Sequence, residues 1–438
     1  MAKIKLAYIG GGSTRGPGTM ASFIHQGKNF DGSEVVLIDL PGSAERLALV
    51  KQIADKMVRA RGLDIKISTT THRRAGLQDC DAVLTSFRPG GFEARVLDER
   101  IPLQHGVIGQ ETQGPGGFFM ALRSVQVMKG VIADMEAVCP RAILFNYTNP
   151  INLVSEAITH HSAIKTISLC EGPFVFPKEI AHAADLDETK LHATLVGLNH
   201  GCWSLEHSYA GGPVMPLLQE ALTRKQRDPA TQRDAKQTEL RLLELALLMD
   251  SLPASYFKYY YFKDEVLAEL QAKPTTRAED ILASVPDYWQ HYREQAQQDD
   301  PTLDPRRSRG GIHELELALD AMDAIFNDRG DVLPVNVPNQ GALADFPDDL
   351  VVEVFAKLDR NGVNRLPQVR LPVQVRGLVK MLGEYQALAG AAAWDGTRID
   401  AIRALASNPL CFSLSKAETI YDELAAAHAK YLPERLLK

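Results

Sequence analysis

Short apolar runs alternate with amphipathic helical stretches through the first two hundred residues, and this predicts an α/β chain. Two observations refine it: a glycine-rich turn, Gly10–Gly18, directly follows the first apolar run, and an acidic residue, Asp39, closes the second. Together they predict a Rossmann-like, doubly wound parallel sheet over residues 1–195. Residues 196–438 have another texture, mainly helical with some antiparallel strand, and form the expected second domain.

The elements follow in order. Lys3–Ile9 reads as the first strand, with a helix beginning at Thr19–Gln26 after the glycine turn. Glu34–Leu40 is the second strand. A long helix is expected from Ser43 to Arg61, because Leu47, Val50, Ile53, Ala54, Met57 and Val58 recur at helical spacing. Ser43 can cap it, with Glu45 in the first turn. Ile65–Thr69, Ala82–Phe87, Ala142–Phe145 and Thr166–Leu169 supply four further strands. Thr194–Tyr209 reads as antiparallel extended chain, and from about Pro216 onward the sequence is mainly helical. Gln295–Arg309 is the best candidate for a mobile loop.

At 438 residues the chain suits two domains or one large one. Its 45% hydrophobic and 24% charged residues are an ordinary globular balance, which excludes a disordered or fibrous protein. A net charge of −7 gives no electrostatic reason to expect nucleic acid or an anionic membrane as partner. An anionic ligand must then be held by local arginines or helix N-termini. The five cysteines are odd in number, widely spaced and without a CxxC pair, which argues for a reducing compartment. With no secretory signal and no membrane-length apolar run, a cytoplasmic protein is expected.

In GGGSTRGPG, Gly10 and Gly12 fit the GxGxxG pattern, while the third glycine, Gly16, comes one position late. Such a turn lets backbone N–H groups approach a pyrophosphate at a helix N-terminus. Asp39 at the strand end can accept ribose hydroxyls, which favours NAD over its 2′-phosphorylated form. A plain tight turn is the alternative, but strand, glycines, helix, strand and terminal Asp in order favour the cofactor.

Between residues 88 and 123 lies a polar, glycine-rich stretch read as a functional loop. Arg88, Arg95, Arg100 and Arg123 can clamp a phosphate, or pair with Glu93, Asp98, Glu99 and Glu111. Asn146-Tyr-Thr-Asn149-Pro150 offers amides for sugar hydroxyls or a nicotinamide ribose, or a simple Asx turn. Cys170 and His200, at neighbouring strand ends, can bind one divalent metal, although a cysteine and a histidine so far apart are more often unrelated. Cys202 is a competing ligand and His207 a weaker one. Ser255–Phe262 is the most aromatic stretch and reads as packing, a sugar-stacking wall, or the source of a tyrosine base.

These segments together resemble the family 4 glycoside hydrolases, a group dependent on NAD and a divalent metal that includes 6-phospho-β- and 6-phospho-α-glucosidases. The resemblance rests on IGGGST, on FRPGGFEARVLDERIPLQHGVIGQETQGPGGFFMALR (Phe87–Arg123), on NYTNP, on the Cys170 strand end and on GLNH. YFKYYYF and Arg309-Gly-Gly311 are weaker matches. All run in family order. The family is an exception to hydrolysis by two carboxylates. The resemblance implies transient oxidation of the sugar at C3 by NAD, proton removal at C2, β-elimination of the aglycone, water addition and reduction.

By the same resemblance Cys170 and His200 are the protein ligands of Mn²⁺, and Gly10, Gly11, Gly12, Ser13 and Asp39 hold NAD. Arg95, Asn149 and Arg309 contact the phosphorylated sugar. Tyr256 is the base, with Tyr259 and Tyr260 as alternatives in register, and Glu171 is a candidate acid. After the metal cysteine, α enzymes usually carry Asp and β enzymes Asn; Glu171 matches neither. A carboxyl there leans α, while GGFFMALR looks closer to β, and 6-phospho-β-glucosidase is the expectation. Residues 196–438 are expected to supply substrate, metal and oligomer contacts, in a homodimer or homotetramer. The rival readings are a lactate/malate-type NAD-dependent dehydrogenase and a non-catalytic NAD- or sugar-binding protein.

Overall fold

β1 (Lys5–Ile9) is flanked by β2 (Glu34–Ile38) and β4 (Ala82–Thr85), all parallel, and the sheet continues outward to β3 (Lys66–Thr70) on one side. On the other side follow β5 (Ile143–Asn146) and β6 (Thr166–Ser168), also parallel. The order 3-2-1-4-5-6 is that of a doubly wound nucleotide-binding sheet, with its switch point between β1 and β4. The computed structural model describes residues 1–227, 237–309 and 315–438.

Strand periodicity explains the two layers. Val35 and Leu37 of β2 pack with Leu47, Val50, Ile53 and Met57 of the helix Ala44–Ala60. Val36 and Ile38 point the other way, into a core built on the helix Gly114–Val138. One strand thus feeds both covered faces, and its run of apolar residues needs no alternation.

Beyond β6 the pairing turns antiparallel. β9 (Asp331–Pro338), β10 (Val351–Asp359), β7 (Leu191–Leu198) and β8 (Gly201–Tyr209) complete the path, and β11 (Gly362–Arg365) pairs with β10. Residue 195 falls inside β7, so the sheet runs on across the expected domain boundary. One cross-strand rung joins Thr85, Asn146, Ser168, Asn336, Glu353, Gly197 and Cys202. Among the described residues no helix is long and apolar enough to cross a membrane.

Several expectations need correction. The first helix starts at Gly16 rather than Thr19, because Gly16 and Pro17 are tolerated in a first turn. The Ser43 side chain makes no cap; a 3₁₀ turn, Pro41–Ser43, leads into the helix instead. The stretch 88–123 is largely helical, over Gly91–Gln104 and from Gly114 on, since its glycines serve helix entry and close packing. A Cβ on Gly117 would come within 2.3 Å of the Thr112 backbone. Strands β9 to β11 lie within the part read as helical. Gln295–Arg309 is tied back by Thr302 N–H to Gln295 Oε1 (2.9 Å), by Asp304 N–H to His291 Nε2 (3.0 Å), and by Arg307 to Asp287 and Glu294.

Candidate active site

Gly10 closes β1 with φ +100°, and a Cβ there would sit 2.2 Å from the Ser86 carbonyl at the end of β4. Only glycine lets the two strand ends meet at the switch point. Gly16, although one position late, serves as the close-packing glycine: its Cβ would lie 2.2 Å from Gly11 O. Asp39 accepts the Gly12 N–H (2.9 Å) and the Leu40 N–H (2.7 Å), which fixes its carboxylate beside the turn. The Ser13 hydroxyl is buried without a hydrogen-bond partner among the described residues. A tight backbone cradle, an unsatisfied buried hydroxyl and a strand-end carboxylate fit the pyrophosphate and ribose of a dinucleotide.

Cys170 follows β6, and His200 sits in the β7–β8 turn with φ +60°. Cys170 Sγ and His200 Nε2 are 3.6 Å apart. A thiolate and an imidazole on one zinc-sized ion at a tetrahedral angle would be separated by about 3.6 Å, so the pair fits a shared metal. Among the described residues no group of three or more His, Cys, Asp or Glu side chains converges as a metal site. Cys202, the competing ligand, is fully buried on the Glu353 rung, and His207 Nδ1 is engaged by Ser204 Oγ at 2.9 Å.

The tautomer of His200 follows from its neighbours. Thr112 Oγ1 lies 3.1 Å from Gln110 Oε1 and 3.0 Å from His200 Nδ1; with its one hydrogen given to Gln110, it accepts from Nδ1–H. The Nε2 lone pair is thereby left toward Cys170. Burial pulls the His200 imidazole down to about 4, so it is neutral near pH 7. Burial, then Glu353, push the Cys170 thiol up to about 12, against the Gly172 N–H and the nearby Asn199 amide. Metal binding there must displace a proton.

Tyr256 lies on the same pair: its ring stacks on His200 with centroids 3.7 Å apart and planes 9° from parallel. Tyr260 turns elsewhere and donates to Gln113 Oε1 (2.6 Å), and Tyr259 lies between Tyr256 and the Arg95–Glu99 pair. Of the three tyrosines, Tyr256 is the one stacked on His200. Burial holds the Tyr256 phenol far above its usual range, reinforced by Tyr259, Cys170 and Glu111 and opposed by Arg95.

The four arginines of the polar stretch all carry a carboxylate partner. Arg95 donates to Glu99 (2.6 Å) and Glu111 (2.5 Å), Arg88 pairs with Glu111, Arg123 with buried Asp98, and Arg100 with Glu279. Burial alone would raise Glu111, but Arg88, Arg95 and Arg309 outweigh it and bring its carboxyl down to about 2. Arg309 packs its guanidinium 4.7 Å from the Phe92 ring centroid, in this same cluster. Gly310 and Gly311, of the Arg309-Gly-Gly match, lie outside the described residues. Asn149 Oδ1 is buried without a partner among the described residues, and Glu171 Oε1 accepts from Tyr147 OH at 2.7 Å.

The model described as family 4 glycosyl hydrolase matches residues 5–186, and that of the family's C-terminal domain matches residues 195–411. This chain belongs to glycosyl hydrolase family 4. A probable 6-phospho-beta-glucosidase of Bacillus subtilis (strain 168) is 36% identical to this family 4 enzyme over 441 residues, covering 98% of both chains. The 6-phospho-beta-glucosidase of Escherichia coli (strain K12) is 32% identical, over 98% of this chain and 96% of that one. A solved 6-phospho-alpha-glucosidase from gut microorganisms, in complex with NAD and Mn²⁺, superposes with a TM-score of 0.85 at 25% identity, covering 99% of each chain.

Two residues of the family 4 site escaped the reading of motifs. Thr112 lies inside QETQGPGG and gave no hint that it would meet a histidine 88 positions away. Glu353 had a visible signal, a single carboxylate within the apolar run Leu350–Phe355.

Proposed function

We propose that this family 4 hydrolase is a 6-phospho-β-glucosidase that uses NAD and a divalent metal, Mn²⁺ above others. The observation that carries the reading is the Cys170–His200 pair at 3.6 Å with Tyr256 stacked against it. NAD supplies a hydride acceptor restored in each turnover, and the metal polarises the sugar oxygens. Cys170 and His200 hold that metal, while Gly10, Gly11, Gly12, Ser13 and Asp39 hold the dinucleotide.

The remaining roles belong to the chain's own groups. Tyr256 takes the proton from sugar C2, assisted by the positive charge of Arg95, which acts to lower its phenol. Arg95 and Arg309 face the 6-phosphate, and Asn149 Oδ1, otherwise unsatisfied, accepts from a sugar hydroxyl. Glu171, oriented by Tyr147 OH, protonates the leaving oxygen. The β assignment is favoured by the two 6-phospho-beta-glucosidases at 36% and 32% identity. Residues 1–195 carry the dinucleotide, and residues 196–438 complete the substrate side.

The decisive test is hydrolysis of chromogenic 6-phospho-glucosides of both anomers in D₂O, with and without NAD⁺ and Mn²⁺. The β anomer should be cleaved, with deuterium at C2 and no net NADH. Cleavage without NAD⁺ would discard the reading; net NADH with a hydroxy acid would favour a dehydrogenase, and tight NAD binding without turnover a non-catalytic protein. We also infer a homodimer or homotetramer in the cytoplasm. Phe174, Val332 and Leu366 are exposed around an apolar groove of about 920 Å³, and all five cysteines are free. Light scattering giving a monomer would refute the assembly.

A further inference from the structure

Glu353 stands in the middle of β10, fully buried, with apolar neighbours Val352 and Val354 on its own strand. Among the described residues no lysine or arginine acts on it, and burial raises its carboxyl to about 7. Its Oε1 accepts from Asn199 Nδ2 and Asn336 Nδ2, both at 3.0 Å. Oε2 is buried without a nitrogen or oxygen donor among the described residues, and the Cys202 thiol also acts on the carboxyl. A carboxylate so placed is costly, and a hydrophobic residue would serve a strand better.

Its position explains why it is there. The rung through Asn336, Glu353, Gly197 and Cys202 is where the parallel sheet passes through β9 into the hairpin that carries His200. The same rung reaches back through Ser168, Asn146 and Thr85, linked by Asn146 Nδ2 to Ser168 Oγ (3.2 Å) and Thr85 Oγ1 to Asn146 Oδ1 (3.0 Å). Cys170 is two residues past Ser168, and His200 three past Gly197. Asn199, held by Glu353, is the residue before His200.

We propose that Glu353 is a positioning residue for the metal pair. Through the Asn199 amide it fixes the His200 turn, on the rung that leads back to the Cys170 strand end. The inference rests on the metal reading above and adds a residue to it. Outer-shell partners of this kind typically contribute about 10- to 100-fold in metal affinity.

The test is Mn²⁺ binding to the full chain, followed by the electron paramagnetic resonance of free Mn²⁺, beside NAD affinity and thermal unfolding. Glu353→Met, which removes the acceptor for Asn199, should weaken Mn²⁺ binding about 10- to 100-fold, with NAD affinity and the unfolding midpoint kept. Asn199→Ala should cause a similar loss, and the double variant should lose little more, because both act along one path. Folded Glu353→Met binding Mn²⁺ within about twofold of the unaltered protein would overturn the proposal, as would loss of NAD affinity in parallel. If Glu353→Met does not fold, Asn199→Ala decides by the same criterion. Failure of the unaltered protein to bind Mn²⁺ would instead remove the metal reading, and this inference with it.

Discussion

His200 and Tyr256 lie face to face, 3.7 Å between ring centroids, so the imidazole that faces Cys170 on its edge is covered on one side by the phenol ring. The stack uses the tyrosine ring and leaves its hydroxyl for chemistry.

Tyr256→Phe keeps that ring. Mn²⁺ and NAD affinities should therefore stay within about twofold, while turnover falls on the order of 10²- to 10⁴-fold, the range for a positioned base. Exchange of the C2 proton in D₂O checks it. Undiminished exchange would move the base to another residue.

Cys170→Ser and His200→Ala should each abolish metal-dependent hydrolysis while the protein stays folded, because each removes half of the proposed two-ligand set. Calorimetry in buffers of differing ionisation heat should show about one proton released per metal bound, since burial keeps the Cys170 thiol protonated beforehand. Unchanged rates after stringent chelation would sink the metal assignment.

Gly10→Ala places a Cβ on the Ser86 carbonyl at a φ of +100°. A side chain at positive φ costs about 1–2 kcal/mol, before any clash is counted. NAD affinity should fall by about tenfold or more and the unfolding midpoint should drop. Fluorescence titration with NAD⁺ tests the first and calorimetry the second.

Glu111 gives a pH signature. Its carboxyl is brought from 4.5 to about 2 in the folded protein. A depressed acid stabilises above its unfolded pKa and loses that contribution as pH falls toward the folded one. The stability gap between the unaltered protein and Glu111→Gln should be full above pH 4.5 and shrink toward pH 2. Breaking such a buried pair costs about 3–5 kcal/mol, and denaturant titrations across that range measure it. A gap that does not vary with pH would show that the carboxylate charge is not the stabilising element.

How much of this was legible in the sequence differs from one residue to the next. The strand–glycine–helix–strand order around Gly10, Gly12 and Asp39 was legible, because a βα turn is a local event and its geometry is written in contiguous residues. The antiparallel reading of Thr194–Tyr209 became β7 and β8 for the same reason. The arginines were ambiguous: phosphate clamp and ion pair use the same residue types, and only packing showed Arg123 buried against Asp98 and Arg95 between Glu99 and Glu111. Strands β9 to β11 were missed because apolar runs between helices carry no marker of their pairing partner.

The order of the nucleotide turn, the family's motifs and the types of group able to bind metal and sugar are properties of the chain as written. The distance from Cys170 to His200, the stacking of Tyr256 rather than Tyr259 or Tyr260 on that histidine, and the engagement of Thr112 and Glu353 are not. Those contacts join residues 30 to 154 positions apart. They exist only once the sheet brings non-neighbouring strands side by side, so tertiary packing decides them.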